Sequence, residues 1–424
     1  MAVYTRLLRD NPNYARLWMA QAISLLGDWF NTIAIATALS TYTNESGLAI
    51  SLLLLCRFLP PLLVGPLAGV LLDRLNRKRL LILSDMARAV IVLGFLLADS
   101  PEKVWLIYVL TALQFAVSAL FEPGRSALLP ALVHEKDIVP ANILGSVTWS
   151  VMLAVGGALG GLVAGVFGTP TALVIDSLTF VLSALLIFHV HPREIAGIEP
   201  ATHAIHPLAD FLDGWRYARR HPMIASTLLV KAGGSLGSMD TLMIIYATSL
   251  FVVGDKGAIS LGILWAAFGL GAVLGPMIFQ RFNNDSISRL RQLIVFAFMF
   301  GTAGWIIFAL APGLAVVAVA LMVKGMGSIY WTYSASILQR LTDDNYLGRI
   351  FALDLIGFQA SLVTSIIVTG LITDLVGAEH VRAVVWGTAL ISLIPLGIWW
   401  QITLRLPGQD VDAHARLPGE NSGY

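Results

Sequence analysis

The stretch GVLLDRLNRKRLL, residues 69–81, ends one long apolar run and begins the next. Five charges fall within the seven residues from Asp73 to Arg79, whereas the runs on either side carry few. About 20 apolar residues are enough to cross a bilayer as a helix, and Lys and Arg collect in cytoplasmic loops. The stretch therefore predicts a cytoplasmic hinge between two membrane helices.

The composition of the whole chain supports a bilayer environment. Of its 424 residues 57% are hydrophobic and only 12% are charged, whereas ordinary soluble domains carry about 25% charged residues. So few charges could not cover the surface of a soluble fold of this length. The net charge of +1 gives no indication of nucleic-acid binding, and the single cysteine, Cys56, cannot form an internal disulfide. We expect no cleavable signal peptide, because the first apolar run is too long for a signal core.

Apolar stretches of membrane-spanning length recur along the chain and predict an all-α integral membrane protein with twelve transmembrane helices. The predicted spans are 14–41, 48–72, 80–98, 103–122, 140–167, 170–190, 223–252, 257–280, 290–310, 313–338, 349–374 and 382–404. Lys and Arg are abundant in the loops on one side, while the other side carries only Lys103, Lys256 and Arg382. This asymmetry predicts that the N- and C-termini are cytoplasmic. We expect the protein in a bacterial-type inner membrane.

The span pattern divides the chain into two halves of six helices. We expect an N-terminal half at 1–192, a cytoplasmic linker at 193–222, a C-terminal half at 223–406 and a flexible cytoplasmic tail at 407–424. Within the linker, PLADFLDGWRYARRH places apolar residues on one helical face with arginines beside them. This pattern suits a helix on the anionic inner leaflet, and equally a solvated linker helix.

The two halves also echo each other in sequence. SLLGDWFNTIAIATAL (24–39) is similar to GSLGSMDTLMIIYATSL (234–250), and each contains a central acid, Asp28 or Asp240. SALLPALVHEKDI (126–138) likewise echoes ASILQRLTDDNYL (335–347). These echoes predict two pseudo-symmetric halves, and in repeat-built transporters the substrate site lies between the repeats near the membrane midplane.

The opening stretch resembles the loop signature between the second and third helices of the major facilitator superfamily. The matching positions are Gly69, Asp73, Arg74, Arg77 and Lys78. FEPGRSALLPALV (121–133) and LQRLTDDNYLGRIFAL (338–353) resemble the branch of drug:proton antiporters of the third type, which includes macrolide efflux pumps and enterobactin exporters. Asn76 replaces a usual Gly, the fifth helix lacks a usual proline, and the fourth helix lacks a usual arginine.

The resemblance implies the major facilitator fold and a function. It implies a secondary active transporter that exports an amphipathic small molecule, drug-like or siderophore-like, by alternating access. The implied mechanism is multidrug efflux by proton antiport, so that the proton gradient supplies the energy and no cofactor or metal is needed. We expect a monomer whose partners are the substrate, protons and membrane lipids, and no nucleic acid.

The resemblance also implies a cytoplasmic gate. Its residues would be Gly69, Asp73, Arg74, Arg77, Lys78, Glu122 and Arg349. Asp73 could cap the helix that begins near Gly348 and Arg349, and Arg77 could pair with Glu122. The alternative is that the basic cluster only sets the topology.

Charges within the predicted spans are candidates for the substrate and proton site, because each is costly there unless it is paired or hydrated. The chosen residues are Asp28, Arg57, Lys231, Asp240 and Lys324, with the aromatic Tyr330 and Trp331. A carboxylate in an apolar environment favours its protonated form, which suits proton exchange. The alternatives are buried salt bridges that only fix packing, a Lys231 that reaches the membrane surface, and aromatic residues that only pack.

Four further charges are expected to be structural. Asp85 and Arg88 lie three residues apart on one predicted helix and can pair locally. Asp176 and Asp354 lie closer to helix ends, where capping or a helix contact explains them.

Three functions other than export are relevant to this sequence. LLGDWFN (25–31) is similar to a motif of lysophospholipid transporters in the same superfamily, which makes a lipid flippase an alternative. A transport-inactive membrane sensor is another alternative. An enzyme is not expected, because the sequence contains no phosphate-binding G-x-x-x-x-G-K-[ST] loop and no H-E-x-x-H.

Overall fold

A computed structural model describes residues 2–193, 207–284 and 286–405, and all regular elements of these residues are helical. The earlier helices are α1 (Ala2–Asp10), α2 (Pro12–Tyr42), α3 (Gly47–Arg74), α4 (Arg77–Gly94), α5 (Val104–Ser118), α6 (Phe121–Leu128), α7 (Ile138–Phe167) and α8 (Thr169–Phe188). The later helices are α9 (Pro207–Arg220), α10 (Pro222–Gly234), α11 (Met239–Ile245), α12 (Ala258–Phe279), α13 (Ile287–Leu310), α14 (Leu314–Met326), α15 (Tyr330–Leu341), α16 (Asp344–Val376) and α17 (Val381–Arg405).

The prediction of twelve spans is confirmed. Within the described ranges, twelve helical segments are long and apolar enough to cross a bilayer, from Pro12–Tyr42 to Ala378–Arg405. Their outer faces carry large exposed apolar side chains, such as Leu63 at 70% exposure, Val90 at 71% and Leu375 at 85%. Such exposure is unfavourable in water and favourable in lipid.

Two caps explain where neighbouring spans begin. Ser46 precedes α3, and its hydroxyl accepts a hydrogen bond of 3.2 Å from the backbone N–H of Ala49. Asn76 precedes α4, and its side-chain oxygen accepts one of 3.1 Å from the N–H of Arg79. Asn is among the preferred N-cap residues. The departure from the superfamily signature at Asn76 therefore supplies a helix cap.

The described residues form two compact units. The first unit draws on Met1–Thr202, Asp240–Ala266 and Gly370–Glu379. Its central helix, α2, packs against α7 and α8. The glycines of α7 allow close approach, because a Cβ on Gly160 would lie 2.9 Å from the carbonyl oxygen of Trp29 and one on Gly161 would lie 2.6 Å from the Cα of Gly262. Small residues are a general means of bringing membrane helices close together.

The second unit draws on His203–Met239, Ala267–Thr369 and His380–Tyr424. Its apolar core lies mainly on α13, with contributions from α15 and α17. The helix expected in the linker is present as α9. The side chain of Asp213 on α9 pairs with Arg349 at 2.7 Å, and the ring of Tyr217 stacks on Tyr346 with centroids 4.2 Å apart.

The opposite face of α9 is exposed. Its exposed side chains are Phe211, Leu212, Trp215, Arg216, Arg219 and Arg220. This composition fits either a lipid headgroup layer or water, as the sequence predicted. The remainder of the predicted linker, residues 194–206, and the whole of the predicted tail, residues 407–424, lie outside the described residues.

Candidate functional site

A small, mainly apolar cavity with several polar side chains in its wall lies inside the first unit, bounded by α2, α3, α5, α11 and the first part of α12. Its charged lining residues are Arg57 and Asp240. Its volume is about 30 Å³, whereas pockets that hold drug-sized ligands measure about 300–1,000 Å³. In this conformation the cavity therefore has room for water but none for an amphipathic organic molecule.

Arg57 is held in the cavity wall by one hydroxyl and several rings. Its Nη1 donates a hydrogen bond of 3.0 Å to Oγ1 of Thr32. Its guanidinium carbon lies 5.0 Å from the ring centroid of Phe115 and 5.9 Å from that of Trp29, which are cation–π distances. The acids that act on it electrostatically are Asp28 and Asp240. The structure thus brings together three of the residues that the sequence indicated.

Two amides complete the polar part of the cavity, and the sequence analysis missed both. The side-chain Nδ2 of Asn31 donates a hydrogen bond of 3.0 Å to Oε1 of Gln114. Both side chains are buried, at 6% and 3% exposure. Asn31 lies three residues after Asp28, on the same face of α2, and this spacing was the available signal.

Beside the cavity, acidic side chains converge on Arg88. The guanidinium of Arg88 binds the carboxylate of Asp85, which confirms the local pair predicted from the sequence. Its Nη1 also lies 3.7 Å from Oδ2 of Asp28. Asp85 accepts a second hydrogen bond, of 2.6 Å, from the hydroxyl of Ser183 on α8. One cation is therefore shared by two carboxylates.

Asp176 on α8 joins the same group. Its side chain is fully buried at 0% exposure. The hydroxyl of Thr179 approaches Oδ1 at 3.5 Å, and Asp28 and Asn31 are among the neighbours that act on the carboxyl. This carboxyl therefore belongs to the interior polar group, whereas the sequence suggested a role near a helix end.

A buried ion pair lies in the second unit. Lys231 Nζ lies 2.5 Å from Oδ2 of Asp354 and 4.3 Å from the ring centroid of Trp331. Lys231 is 5% exposed, so the alternative in which it reaches the membrane surface is wrong. The expected alternative of a buried salt bridge does hold, although the acid is Asp354 rather than Asp28 or Asp240.

The remaining candidates of the second unit pack against other aromatic rings. Lys324 Nζ lies 4.5 Å from the ring centroid of Trp305. Tyr330 stacks on Phe298, with centroids 5.8 Å apart, beside the apolar core. The structure therefore places Lys231 and Trp331 together, and it gives Lys324 and Tyr330 other immediate neighbours.

The described residues of the expected gate contact other groups than expected. Arg77 donates a hydrogen bond of 3.0 Å to the carbonyl oxygen of Ala127, and Glu122 pairs with Arg125 at 2.5 Å. The expected pair between Arg77 and Glu122 is thus replaced, because Arg125 follows Glu122 by one helical turn. Lys78 Nζ lies 5.4 Å from the ring of Phe188.

The other gate residues differ in how much of their surroundings the structure describes. Arg349 is engaged by Asp213 of α9. The contacts of Gly69, Asp73 and Arg74 lie outside what the structure describes, so the predicted cap by Asp73 stays a prediction.

Several known proteins are similar to this chain in sequence. A sequence profile of the family described as transmembrane secretion effector matches residues 8–421. Macrolide efflux protein A of Streptococcus pyogenes is 23% identical over 376 residues, which cover 86% of this chain and 90% of that protein. The putative bacilysin exporter BacE of Bacillus subtilis is 24% identical over 385 residues, covering 88% of this chain and 91% of that protein. The uncharacterized transporter YfiS of Bacillus subtilis (strain 168) is 30% identical over 226 residues, about half of each chain at 53%.

Solved structures show the same fold. A bacterial homologue of the human lysosomal transporter Spinster, in an inward-facing and unoccupied conformation, superposes with a TM-score of 0.71 at 15% identity, covering 96% of this chain and 99% of that one. The nucleoside transporter NupG superposes with a TM-score of 0.68 at 13% identity, covering 93% and 100%. At these identities the likeness concerns the fold alone.

Proposed function

This chain belongs to the transmembrane secretion effector family of the major facilitator superfamily, and from that premise we propose that it exports positively charged amphipathic molecules in exchange for protons. Membership makes it a multi-pass membrane transporter of a small molecule. The charge of the substrate, the coupling to protons and the outward direction are the parts that we propose. The names of two relatives, a macrolide efflux protein and a putative bacilysin exporter, support the outward direction.

The proposal rests on an excess of acidic over basic residues inside the first unit. The acids in the middle of its spans are Asp28, Asp85, Asp176 and Asp240. The cations there are Arg57 and Arg88. Each uncompensated charge in a membrane interior costs about 2.5–3.5 kcal/mol on insertion scales. The excess is therefore neutralised by protons or by a cationic ligand.

Competition between these two neutralising species is the physical basis of antiport. A cationic group bound beside Asp28 and Asp240 makes their protonation unfavourable, and protonation in turn weakens the binding of the cation. The aromatic side chains of Phe115 and Trp265 in the cavity wall offer ring faces to the cation and apolar surface to the rest of the substrate. A molecule with an amine and a large apolar part fits this chemistry.

The cavity must widen before such a molecule can enter. The ring of Trp265 forms part of its wall, and the tilted ring of Trp29 packs against it with centroids 4.9 Å apart. Directly after α11, residues Tyr246–Leu250 form a π-helical turn, a feature that is frequent at functional sites. We propose that the required movement occurs in this wall and in α11. We also propose that both chain termini lie in the cytoplasm.

The test uses the full chain in proteoliposomes with a pH-sensitive dye inside and an imposed proton gradient. A cationic drug, a catecholate siderophore and a lysophospholipid are added one at a time. The proposal expects proton flux with the cationic drug, its loss in Asp28→Asn, and its retention in Asp99→Asn, an exposed acid of the same unit. Proton flux only with the siderophore or the lysophospholipid would overturn the proposal that the substrate is a cation. Binding without any flux would favour a sensor.

A further inference from the structure

Unlike Asp28 and Asp85, Asp176 forms no ion pair with a cation among the described residues. Its Oδ2 is buried and has no hydrogen-bond partner among the described residues, while Thr179 approaches its Oδ1 at 3.5 Å and the amide of Asn31 also acts on the carboxyl. Position 27 beside it is glycine, and a Cβ there would overlap the side chains of Asp176 and Thr179. The carboxyl is thus tightly enclosed where α2 and α8 meet.

The charged groups that face Asp176 come from the two helices packed against α8 on this side. Asp28 lies on α2, and Asp85 and Arg88 lie on α4. The membrane-spanning part of α7, the third neighbour, contains no charged residue. Arg88 binds Asp85 directly and reaches Asp28 at 3.7 Å. Its single positive charge is therefore already shared between two other carboxylates.

An ionised Asp176 would be a buried charge without a counter-ion, and a buried carboxyl in that position is favoured in its protonated form. When two neighbouring carboxyls interact so strongly that they do not both ionise, the pair titrates as one unit. We propose that Asp28 and Asp176 share one proton and that this pair is the proton-coupling site of the transporter. This inference rests on the proposed proton-coupled function and adds Asp176, which the family resemblance did not indicate.

The two members of the pair have different access to water. The side chain of Asp28 is 25% exposed, whereas that of Asp176 is fully buried. Protons therefore enter and leave through Asp28, and Asp176 stores the proton. Loss of the shared proton leaves two negative charges, a state that is stabilised when a cationic substrate occupies the adjoining cavity. One proton is then released for each positive charge that binds, so charge balances in each half of the cycle.

The first test compares two transport modes in proteoliposomes, with ethidium as the cationic probe. Gradient-driven accumulation needs the proton pair, whereas exchange of labelled for unlabelled ethidium without a gradient needs only the substrate cavity. Asp176→Asn is expected to lose accumulation completely and to keep exchange, and Asp176→Glu is expected to restore accumulation in part. Asp99→Asn should keep both. Unchanged accumulation in Asp176→Asn would overturn the inference while leaving the proposed function intact.

The second test does not require transport. Infrared spectroscopy of the wild-type chain in lipid should show the carbonyl stretch of a protonated carboxyl at neutral pH. This band should be missing in Asp176→Asn and displaced in Asp176→Glu. Absence of the band in the wild type, or its persistence unchanged in both variants, would overturn the inference. A band that behaves as expected in a chain that moves no ethidium would uphold the protonated pair and overturn the proposed function instead.

Discussion

The Nη1 atom of Arg88 lies 3.7 Å from Oδ2 of Asp28, while its Nη2 is bound to Asp85. The contact to Asp28 is therefore the looser of the two and lies beyond normal hydrogen-bond distance. Arg88 is anchored by an acid of its own helix, one turn away, and reaches across to α2 with the rest of its guanidinium. Asp28 can consequently change its proton or its partner without dismantling the Asp85–Arg88 pair.

Asp28→Asn should abolish gradient-driven transport and leave the protein folded. The amide removes the titrating group but keeps the size of the side chain, and Arg88 retains Asp85 as its partner. Transport in proteoliposomes and thermal unfolding in detergent measure the two parts separately. Pumping that keeps its dependence on pH in a folded Asp28→Asn protein would remove Asp28 from the coupling site.

Asp354→Asn should destabilise the second unit strongly. It leaves Lys231 charged and buried, and breaking such a pair by removing one partner costs about 3–5 kcal/mol. The double variant Lys231→Met with Asp354→Leu should recover much of the loss, because no charge is left buried. Chemical unfolding of the three proteins gives the comparison. An Asp354→Asn protein as stable as the wild type would show that Lys231 finds another partner at no cost.

Gly161→Ala should weaken the packing of α7. The added Cβ would lie 2.6 Å from the Cα of Gly262, and such overpacking costs about 1–3 kcal/mol. Gly357→Ala is the matched control, because a Cβ at that position in α16 meets no atom within 4 Å. The changes in the free energy of unfolding that the two substitutions cause, relative to the wild type, should therefore differ in sign or by at least about 1 kcal/mol. Equal effects would contradict the close crossing at Gly161.

Asp374→Asn should loosen the start of α3. The carboxylate of Asp374 accepts hydrogen bonds from the N–H of Gly47 at 2.6 Å and of Leu48 at 3.2 Å, and from the hydroxyl of Ser46 at 3.0 Å. An acid in the last turn of its own helix is unfavourable, but at the N-terminus of another helix it is favourable. We expect a loss of about 0.3–1 kcal/mol, the usual worth of a negative charge at a helix N-terminus, because the amide keeps one acceptor oxygen but loses the charge.

Hydrogen exchange measures this effect locally. The amides of Gly47 and Leu48 should exchange faster in Asp374→Asn than in the wild type. Asp255→Asn, which changes an exposed acid of the same unit, is the control and should leave both amides unaffected. Unchanged exchange in Asp374→Asn would mean that the carboxylate does not cap α3.

The exposed pair of Asp99 and Lys103 should add a small stability that depends on pH. The hydrogen bond from Lys103, 2.8 Å long, lowers the pKa of Asp99 below its ordinary value. A carboxyl with a lowered folded-state pKa stabilises the protein above its unfolded-state pKa, and the contribution is lost as pH falls through the folded-state value. Unfolding curves of wild type and Asp99→Asn should therefore differ slightly at neutral pH and converge in acid.

Local features of this molecule could be predicted from its sequence. The twelve spans depend on hydropathy within about 20 residues, and the Asp85–Arg88 pair depends on a spacing of three along one helix. The cap at Asn76 also lies within the opening stretch. Each of these needs only neighbours in the chain.

Contacts between distant helices could not be predicted in the same way. Lys231 and Asp354 are 123 residues apart, and Asp374 and Gly47 are 327 apart. Which acid meets which base depends on how each helix is rotated about its axis, and the apolar all-round faces of membrane helices give little signal of that rotation. For the same reason Tyr330, expected near a substrate, packs on Phe298.

The most direct test of proton-coupled export is the zero-flux measurement. Proteoliposomes with fixed internal and external ethidium are exposed to a series of pH differences, and the pH difference at which net ethidium flux stops gives the number of protons exchanged. We predict a stopping point that shifts with the ethidium ratio for the wild type and for Asp99→Asn, and no dependence on the pH difference for Asp28→Asn. Ethidium flux in the wild type that ignores the pH difference would contradict proton-coupled export.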